Sequence, residues 1–190
     1  FFKGRLNHDT VSFTKGYDVV CAFVNDVIDK RVIQRIKEND IDLIALRSAG
    51  YNNVDLEAAY ETIHVVRVPG YSPHAVAEHA LALMMSLNRK TYKAYYRTLD
   101  SNFSINGLLG FDMCGKTVGV IGTGKIGKCS VAILKGLGMN VIAYDKHPDE
   151  DYAREKGFEY VGEDELYARS DIITLHCPLT KETHYIIQKE

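Results

Sequence analysis

Three glycines in the middle of the chain have the spacing of a turn that binds a dinucleotide. Residues 122–127 read Gly-Thr-Gly-Lys-Ile-Gly, after the apolar run 117–121 and before a helical pattern. In such a unit Gly122 permits the turn, Gly124 lets the backbone approach a pyrophosphate, and Gly127 lets the helix pack closely on the strand. The positive end of the helix that begins near Lys125 then attracts the phosphates.

An acidic residue follows the last glycine by eighteen positions. Asp145 ends the apolar run 140–144, which we predict to be the next strand, and a carboxylate there accepts the ribose hydroxyls of an adenosine. A 2′-phosphate at the same place would be repelled, because two unit charges about 4 Å apart interact by about 4 kcal/mol at an effective dielectric near 20. The pattern therefore predicts NAD rather than NADP, unless Lys146 and His147 swing in to compensate.

Composition excludes several other classes of function. The 190 residues are 46% hydrophobic with a net charge of -2, which suits one large or two small globular domains and offers no basic surface for nucleic acid. The longest apolar stretch, 75–87, is interrupted by Glu78, His79 and Ser86, so we expect no membrane span. We find no signal peptide and therefore expect a cytoplasmic protein.

Cysteine and histidine spacing gives no sign of a metal site. The four cysteines form no CxxC pair, and free thiols in a reducing cytosol are the simplest interpretation. His74 and His79 are five positions apart, which places them on different faces of a helix. We therefore predict no bound metal.

The order of the elements predicts an α/β protein with two parallel sheets. In the first region we expect strands at 17–23, 41–46 and 64–68, a helix over 29–38 capped by Asp29, and a short helix from Asp55, which we expect to cap it. In the second region we expect three strands, at 117–121, 140–145 and 171–175. Domain boundaries of 1–70 and 71–190 follow.

A long helix is expected between the two sheets. It runs from Pro73 to about Thr98 with Ser72 as its N-cap. Its apolar residues cover more than one face, which predicts that it is buried between two bodies. The polar, glycine-rich stretch 100–115 is expected to be a surface excursion.

Four motifs together resemble a known family. Segments 47–55 (RSAGYNNVD), 68–73 (VPGYSP, followed by AEHA at 77–80), 122–127 and 176–180 (HCPLT) follow one another in the order seen in D-isomer-specific 2-hydroxyacid dehydrogenases. The resemblance covers essentially the whole chain. It implies a flavodoxin-like substrate domain, partial here, and an inserted Rossmann NAD-binding domain, also partial.

The resemblance also implies an activity. Enzymes of this family transfer a hydride between NAD and C2 of a 2-oxo or 2-hydroxy acid, and the branch that this chain resembles converts pyruvate to D-lactate. A 2-hydroxyisocaproate-type acid is the alternative substrate. A non-catalytic NAD-sensing corepressor on the same fold is the alternative from another class, whereas a methyltransferase would lack Gly127 and the preceding domain.

Site residues carry over from the family by position. For the substrate these are the amides of Ala49 and Gly50 and the hydroxyl of Tyr71. For the cofactor they are the turn Gly122, Gly124 and Gly127, the amides of Lys125 and Ile126, Asp145 at the ribose, Cys177 and Pro178 near the adenine, and Thr183. We expect His79 to satisfy a buried hydrogen bond rather than to carry a proton, and Cys177 not to act as a nucleophile. We expect Arg47 to be structural or to lie at the domain boundary.

The family pattern places its catalytic arginine, glutamate and histidine beyond Glu190. We therefore expect no catalytic residue within these 190 residues and regard the sequence as an internal fragment, in which residues 183–190 are expected to start a helix. Family enzymes usually form homodimers through the nucleotide domain, and segment 100–115 is a plausible arm for that contact.

Overall fold

The computed structural model describes residues 2–188. Contacts divide the chain into two compact units, Phe1–Tyr71 and Ser72–Glu190. That the first unit is part of a substrate domain stays a prediction. The helix expected to start within 183–190 is not formed by residue 188, where the chain makes turns instead, and positions 189 and 190 lie outside the described residues.

The first unit contains a three-stranded parallel sheet in the order β1-β2-β3. Asp29 and Asp55 accept hydrogen bonds from the amides of Val32 and Ala58, so both predicted helix caps are confirmed. The strands are shorter than the predicted runs, because only four residues of each are hydrogen-bonded in register. The elements are β1 Val19–Ala22, β2 Leu43–Leu46 and β3 His64–Arg67, with a 3-10 helix Val11–Thr14 and the helices α1 Lys30–Glu38 and α2 Leu56–Ala59.

The second unit contains a four-stranded parallel sheet in the order β6-β5-β4-β7. Val118 and Val120 of its central strand β4 are fully buried and pack with Val131 and Leu134 of helix α5. This packing fixes the helix that follows the glycine turn against the sheet. The elements are β4 Thr117–Ile121, β5 Asn140–Tyr144, β6 Glu159–Tyr160 and β7 Ile172–Leu175, with helices α3 Pro73–Arg89, α4 Thr91–Leu99, α5 Lys125–Gly136, α6 Glu150–Lys156 and α7 Glu163–Arg169.

Strand β6 corrects the expectation of three strands in this sheet. It has two residues, and it pairs with β5 through Ile142 opposite Glu159 and Ala143 opposite Tyr160. Helix α6 ends at Gly157 in the left-handed conformation, with φ of 67°, which turns the chain back along β5. Two residues are too few to show the alternation on which strand prediction depends.

The single helix expected from Pro73 to Thr98 is also wrong, because it is broken at Lys90. This residue has φ of 50° and ψ of 38°, in the left-handed region, and it separates α3 from α4. Its ammonium group donates to the carbonyl oxygens of Gly107 and Leu109 at 3.1 and 2.9 Å. No glycine or proline marks the break, so a periodicity argument runs through it.

Helix α3 is less buried than its apolar composition predicted. Ala77 is its one fully buried residue, whereas Leu83 and Leu87 are 53% and 69% exposed. The covered side packs on α5 through Ala77, Ala80 and neighbouring apolar residues. The apolar stripe is wider than this one contact, so the expectation of a helix covered on most sides is not met.

Residues 100–115 form no helix or strand, as expected for a surface excursion. Two cations hold its backbone: Lys90, as described above, and Arg97, which donates to the carbonyl oxygens of Ser104 and Asn106. Ile105 and Leu109 within it are 81% and 87% exposed. Among residues 2–188 we find no helix of the length and apolarity that a membrane crossing requires.

Candidate functional site

The turn after β4 needs glycine at its first position for two reasons. Gly122 has φ of +91°, and a Cβ there would lie 2.7 Å from the backbone nitrogen of Cys177. Its own amide donates to the carbonyl of Tyr144 at 2.8 Å. A side chain would therefore be strained and would also collide with the backbone that follows β7.

The other two glycines of the turn have opposite surroundings. A Cβ on Gly127 would lie 2.0 Å from the carbonyl oxygen of Gly122, so this glycine allows α5 to sit against the turn. A Cβ on Gly124 would meet nothing within 4 Å. Packing therefore closes the space around Gly122 and Gly127, whereas the space in front of Gly124 is open to an approaching ligand.

The N-terminus of α5 offers amides at this open position. Gly124 is the N-cap residue and supplies no side-chain cap, and Lys128 is the first residue whose amide donates back to the Gly124 carbonyl. The amides of the first helical turn, which include those of Lys125 and Ile126, have no intrahelical partner. Together with the helix dipole they form a site suited to a phosphate anion.

Asp145 follows β5 and is tied to the turn by its carboxylate. Oδ2 accepts from the amide of Thr123 at 2.6 Å and from its hydroxyl at 3.0 Å, and Oδ1 accepts from the amide of His147 at 2.9 Å. Burial opposes ionisation, but the hydrogen bonds from His147 and Thr123 outweigh it and the pKa of Asp145 is lowered. The carboxylate is therefore ionised at neutral pH beside the open glycine turn.

Sequence reasoning missed two residues near this carboxylate. Thr123 contacts it directly, and Tyr160 contacts Thr123. Thr123 is only 4% exposed, and its hydroxyl lies 2.8 Å from that of Tyr160 on β6. Position 123 is variable in the Gly-x-Gly-x-x-Gly pattern, and Tyr160 lies 37 residues further along the chain. The only signal in the sequence was a polar side chain directly after the first glycine.

The other predicted cofactor residues follow β7. The backbone of Cys177 lies against Gly122, and Pro178 is exposed just beyond it. The hydroxyl of Thr183 donates to the carbonyl of Pro178 at 2.5 Å and accepts from the amide of Thr180 at 2.8 Å. Thr183 therefore closes the loop that begins at Pro178, and its role toward a nucleotide stays a prediction.

Two further side chains lie at this edge of the sheet. His176, at the end of β7, contacts the hydroxyl of Thr174 through Nε2 at 3.0 Å, and burial lowers the pKa of His176. Lys146 forms an exposed ion pair with Glu182. This ion pair raises the pKa of Lys146 and lowers the pKa of Glu182, chiefly through the hydrogen bond between them.

The predicted substrate residues of the first unit follow β2 and β3. Ala49 and Gly50 lie in the loop after β2, where the hydroxyl of Ser48 donates to the Gly50 carbonyl at 2.8 Å and Arg67 donates to the Ala49 carbonyl at 2.8 Å. The hydrogen bonds of the described residues include none from the amides of Ala49 and Gly50. Tyr71 is 72% exposed. The loop therefore has two backbone donors without a partner among the described residues.

Three other predictions concern single side chains. His79 is exposed and makes no hydrogen bond among those of the described residues, so the expectation that it satisfies a buried hydrogen bond is wrong. It lies two positions after Ala77, on the opposite side of α3 from the contact with α5. Arg47 stacks on the ring of Phe23, with 4.8 Å from its guanidinium carbon to the ring centre, and all four cysteines are free thiols.

A dinucleotide fits the groups present in the second unit. The open space at Gly124 and the unpaired amides of α5 suit a pyrophosphate, and the ionised Asp145 suits an unmodified ribose. The closely packed Gly122 and Gly127 keep these groups in place.

Known proteins bear out this interpretation. Residues 81–190, more than half of the chain, match the profile of the D-isomer specific 2-hydroxyacid dehydrogenase, NAD binding domain. A 2-hydroxyacid dehydrogenase homolog of Haemophilus influenzae is 53% identical over 193 residues, which covers 100% of this chain and 57% of that protein.

Solved structures agree with the match in sequence. The apo-structure of D-lactate dehydrogenase from Escherichia coli has a TM-score of 0.88 and 51% identity, covering 98% of this chain and 59% of that one. The D-lactate dehydrogenase of Aquifex aeolicus, complexed with NAD and lactic acid, has a TM-score of 0.81 and 35% identity, covering 93% of this chain and 53% of that one.

The predicted Rossmann fold of the second unit is thereby confirmed. The chain spans between about half and three fifths of the length of these relatives. The second unit is an NAD-binding domain, and the chain belongs to the D-isomer specific 2-hydroxyacid dehydrogenase family.

Proposed function

We propose that the full-length protein is an NAD-dependent oxidoreductase that reduces pyruvate to D-lactate. The observation that carries this proposal is an uncapped helix N-terminus next to an ionised Asp145, in a chain that also bears the free amides of Ala49 and Gly50. The first pair of features suits a dinucleotide, and the second suits a small carboxylate. The D-lactate dehydrogenase from Escherichia coli, which is 51% identical to this chain, supports pyruvate as the acid.

In this proposal the cofactor is held by the backbone and one carboxylate. The amides of Lys125 and Ile126 bind the pyrophosphate, and Asp145 binds the adenosine ribose. Cys177 and Pro178 contact the adenine side. When bound, NADH supplies the hydride; the residues of this chain bind and orient the cofactor rather than take part in the chemical step.

We propose NAD rather than NADP as the cofactor that the full-length protein uses. Asp145 is ionised and would repel a 2′-phosphate. Lys146, one of the two basic residues that could compensate, already pairs with Glu182. A phosphate would have to compete with that carboxylate for Lys146.

The substrate carboxylate is proposed to bind the loop after β2. The amides of Ala49 and Gly50 have no partner among the hydrogen bonds of the described residues, and a hydrogen bond from an amide to a carboxylate is stronger than one between neutral groups. The exposed hydroxyl of Tyr71 would add a third donor. The arginine, glutamate and histidine of the family pattern are proposed to belong to the part of the protein beyond residue 190.

The proposal is tested by steady-state kinetics of the full-length protein with pyruvate, 2-oxoisocaproate and hydroxypyruvate, each with NADH and NADPH. We expect the highest kcat/KM with pyruvate and NADH, and D-lactate as the product in a stereospecific assay. A preference for 2-oxoisocaproate would assign the protein to that branch, and one for hydroxypyruvate would contradict the lactate assignment. Tight NADH binding without turnover of any acid would identify a sensor.

A homodimer is proposed for the full-length protein. The excursion 100–115 exposes Ile105 and Leu109 almost fully, and its backbone is already fixed by Lys90 and Arg97. Exposed apolar patches of this kind mark protein contacts. Size-exclusion chromatography with light scattering should give twice the monomer mass, and Ile105→Asp should lower it; a wild-type monomer would contradict the proposal.

We further propose a cytoplasmic location, since all four cysteines are free thiols and two of them are exposed. Exposed thiols persist in a reducing compartment. Fractionation of cells that express the tagged full-length protein tests this, and recovery outside the cytoplasmic fraction would contradict it.

A further inference from the structure

The carboxylate proposed to bind ribose is held by a chain of two hydroxyl groups. The hydroxyl of Thr123 lies 3.0 Å from Oδ2 of Asp145 and 2.8 Å from the hydroxyl of Tyr160. The three residues come from the turn after β4, the end of β5 and strand β6. They connect three neighbouring strands of the sheet at one point.

The direction of each hydrogen bond follows from the number of protons. An ionised carboxylate only accepts, so the hydroxyl of Thr123 donates to Asp145. A threonine hydroxyl has one proton, which leaves only its lone pairs for Tyr160. The Tyr160 hydroxyl therefore donates to Thr123, and the series runs in one direction toward the carboxylate.

This arrangement leaves one carboxylate oxygen more available than the other. Oδ2 accepts two hydrogen bonds, both from Thr123, whereas Oδ1 accepts one, from the amide of His147. A carboxylate has about four acceptor positions. The position that remains belongs to Oδ1, so the orientation of the carboxylate decides which oxygen meets a ligand.

Strand β6 gives Tyr160 a fixed place. Tyr160 lies opposite Ala143 of β5, and the amide of Val161 donates to the Ala143 carbonyl at 2.9 Å. The Tyr160 ring packs edge-on against Phe158, with 5.3 Å between ring centres. Because backbone pairing and ring packing both hold the side chain, its hydroxyl can orient Thr123 instead of following it.

We propose that Thr123 and Tyr160 are positioning residues that hold Oδ2 of Asp145 and so present Oδ1 to the adenosine ribose of NAD. This inference rests on the proposed function, since it requires that Asp145 binds ribose. It also gives the two-residue strand β6 a purpose: it brings a tyrosine from position 160 to the cofactor turn. In this proposal neither residue takes part in the chemical step.

The inference is tested in the full-length protein with Thr123→Val, Thr123→Ser and Tyr160→Phe. Valine keeps the shape of threonine without its hydroxyl, and serine restores the hydroxyl. We expect Thr123→Val to raise the Kd for NADH about tenfold, Tyr160→Phe about threefold, and Thr123→Ser to remain within about twofold of wild type. In steady-state assays the loss should fall on KM for NADH rather than on kcat.

Tyr152→Phe is the matched control for Tyr160→Phe. Tyr152 belongs to the same aromatic cluster, but its hydroxyl donates to the Lys128 carbonyl instead of to Thr123. It should leave the Kd for NADH within about twofold of wild type. An equal loss in both phenylalanine variants would mean that the aromatic cluster, and not the hydroxyl series, affects binding, and would overturn the inference.

A double-mutant cycle decides whether the effect passes through Asp145. If it does, Thr123→Val costs nothing further once Asp145 is replaced by alanine; a full tenfold loss in that background would overturn the inference. As the pH falls, NADH affinity is lost when Asp145 becomes protonated. This loss should begin at a higher pH in Thr123→Val, because one hydrogen bond that lowers the pKa of Asp145 is removed.

The outcomes separate this inference from the proposed function. If the wild-type protein does not bind NADH, the proposed function fails. If the wild type binds NADH but Thr123→Val and Tyr160→Phe both stay within twofold of it, only the inference fails. Circular dichroism identifies any variant that does not fold, and the partly exposed Tyr160 keeps the test decisive if Thr123→Val is unstable.

Discussion

The loop after β2 and the turn after β4 both lie at the carboxyl end of a parallel sheet, but the protein holds their polar groups differently. In the turn, Gly122 and Gly127 are in close backbone contact, and Asp145 accepts three hydrogen bonds from the protein. In the loop, Ser48 and Arg67 each bind a carbonyl, while the neighbouring amides have no partner among the described hydrogen bonds.

The difference shows how each region could meet its ligand. The turn has its geometry fixed by protein contacts, so a dinucleotide would bind with little reorganisation. The loop has fewer restraints, so the donors that we propose for the acid are free to adapt to it. Substitutions at the contacts that fix the turn should therefore change cofactor binding, whereas those in the loop should change binding of the acid and leave the cofactor unaffected.

The largest effect is expected for Gly127→Ala. Its Cβ would lie 2.0 Å from the Gly122 carbonyl oxygen, so α5 must move away from the turn, at a cost of about 3 kcal/mol in the free energy of unfolding. Gly124→Ala is the matched control, because its Cβ meets nothing within 4 Å, and we expect a change below about 0.5 kcal/mol. Urea denaturation measures both, and equal losses would contradict the packing argument.

Asp145→Ala should weaken NADH binding roughly 10- to 100-fold, because hydrogen bonds to a charged group are lost. NADPH binding should fall far less, since the repulsion of its 2′-phosphate disappears at the same time. The control is Asp171→Ala: that carboxylate also accepts a backbone hydrogen bond, from Thr117, but at the amino end of β4. Fluorescence titration with both cofactors is the measurement, and equal losses for the two would refute the ribose assignment.

Ser48→Ala tests the loop of the first unit. Removing the buried hydroxyl leaves the Gly50 carbonyl without this partner, and we expect about 1 kcal/mol lower stability. The KM for the 2-oxo acid should rise about threefold while the Kd for NADH stays unchanged. Thr62→Val, which also removes a hydroxyl bound to backbone carbonyls in this unit, should affect stability alone. A change in NADH affinity for Ser48→Ala would show that the two regions are not independent.

The smallest effect is expected on the pH dependence of Tm, through protonation of His176. Burial lowers its pKa below the ordinary 6.5, so the unfolded chain binds a proton more readily than the folded one. Its contribution to stability is therefore complete above about pH 6.5 and is lost as the pH falls toward the folded value. We expect the fall in Tm between pH 7.5 and 5.5 to be smaller in His176→Gln than in wild type or in His147→Gln, where an exposed histidine is removed.

Local chemistry made part of this structure predictable. The caps Asp29 and Asp55 and the glycine turn depend on residues within a few positions of one another, and these predictions agree with the structure. Asp145 was found because its distance from the turn is set by one helix and one strand.

Features that depend on distant partners were not predictable. The break at Lys90 is accompanied by hydrogen bonds to carbonyl groups at 107 and 109, and no residue near 90 announces them. Strand β6 exists because β5 pairs with it, and the Thr123–Tyr160 contact follows from that pairing. Apolar periodicity does not tell which side of α3 is covered. His79 was therefore predicted to be buried, whereas it is exposed.

The order of strands in the two sheets has a consequence for synthesis on the ribosome. In the first unit each strand pairs with the next in sequence, and its core draws on residues between positions 11 and 63. In the second, β4 ends at Ile121 but its partner β7 begins only at Ile172. At about 5 to 20 residues per second, the first sheet can close while the ribosome is still translating, whereas one edge of β4 waits several seconds for its neighbour. During that interval the unpaired edge of β4 can pair with other strands.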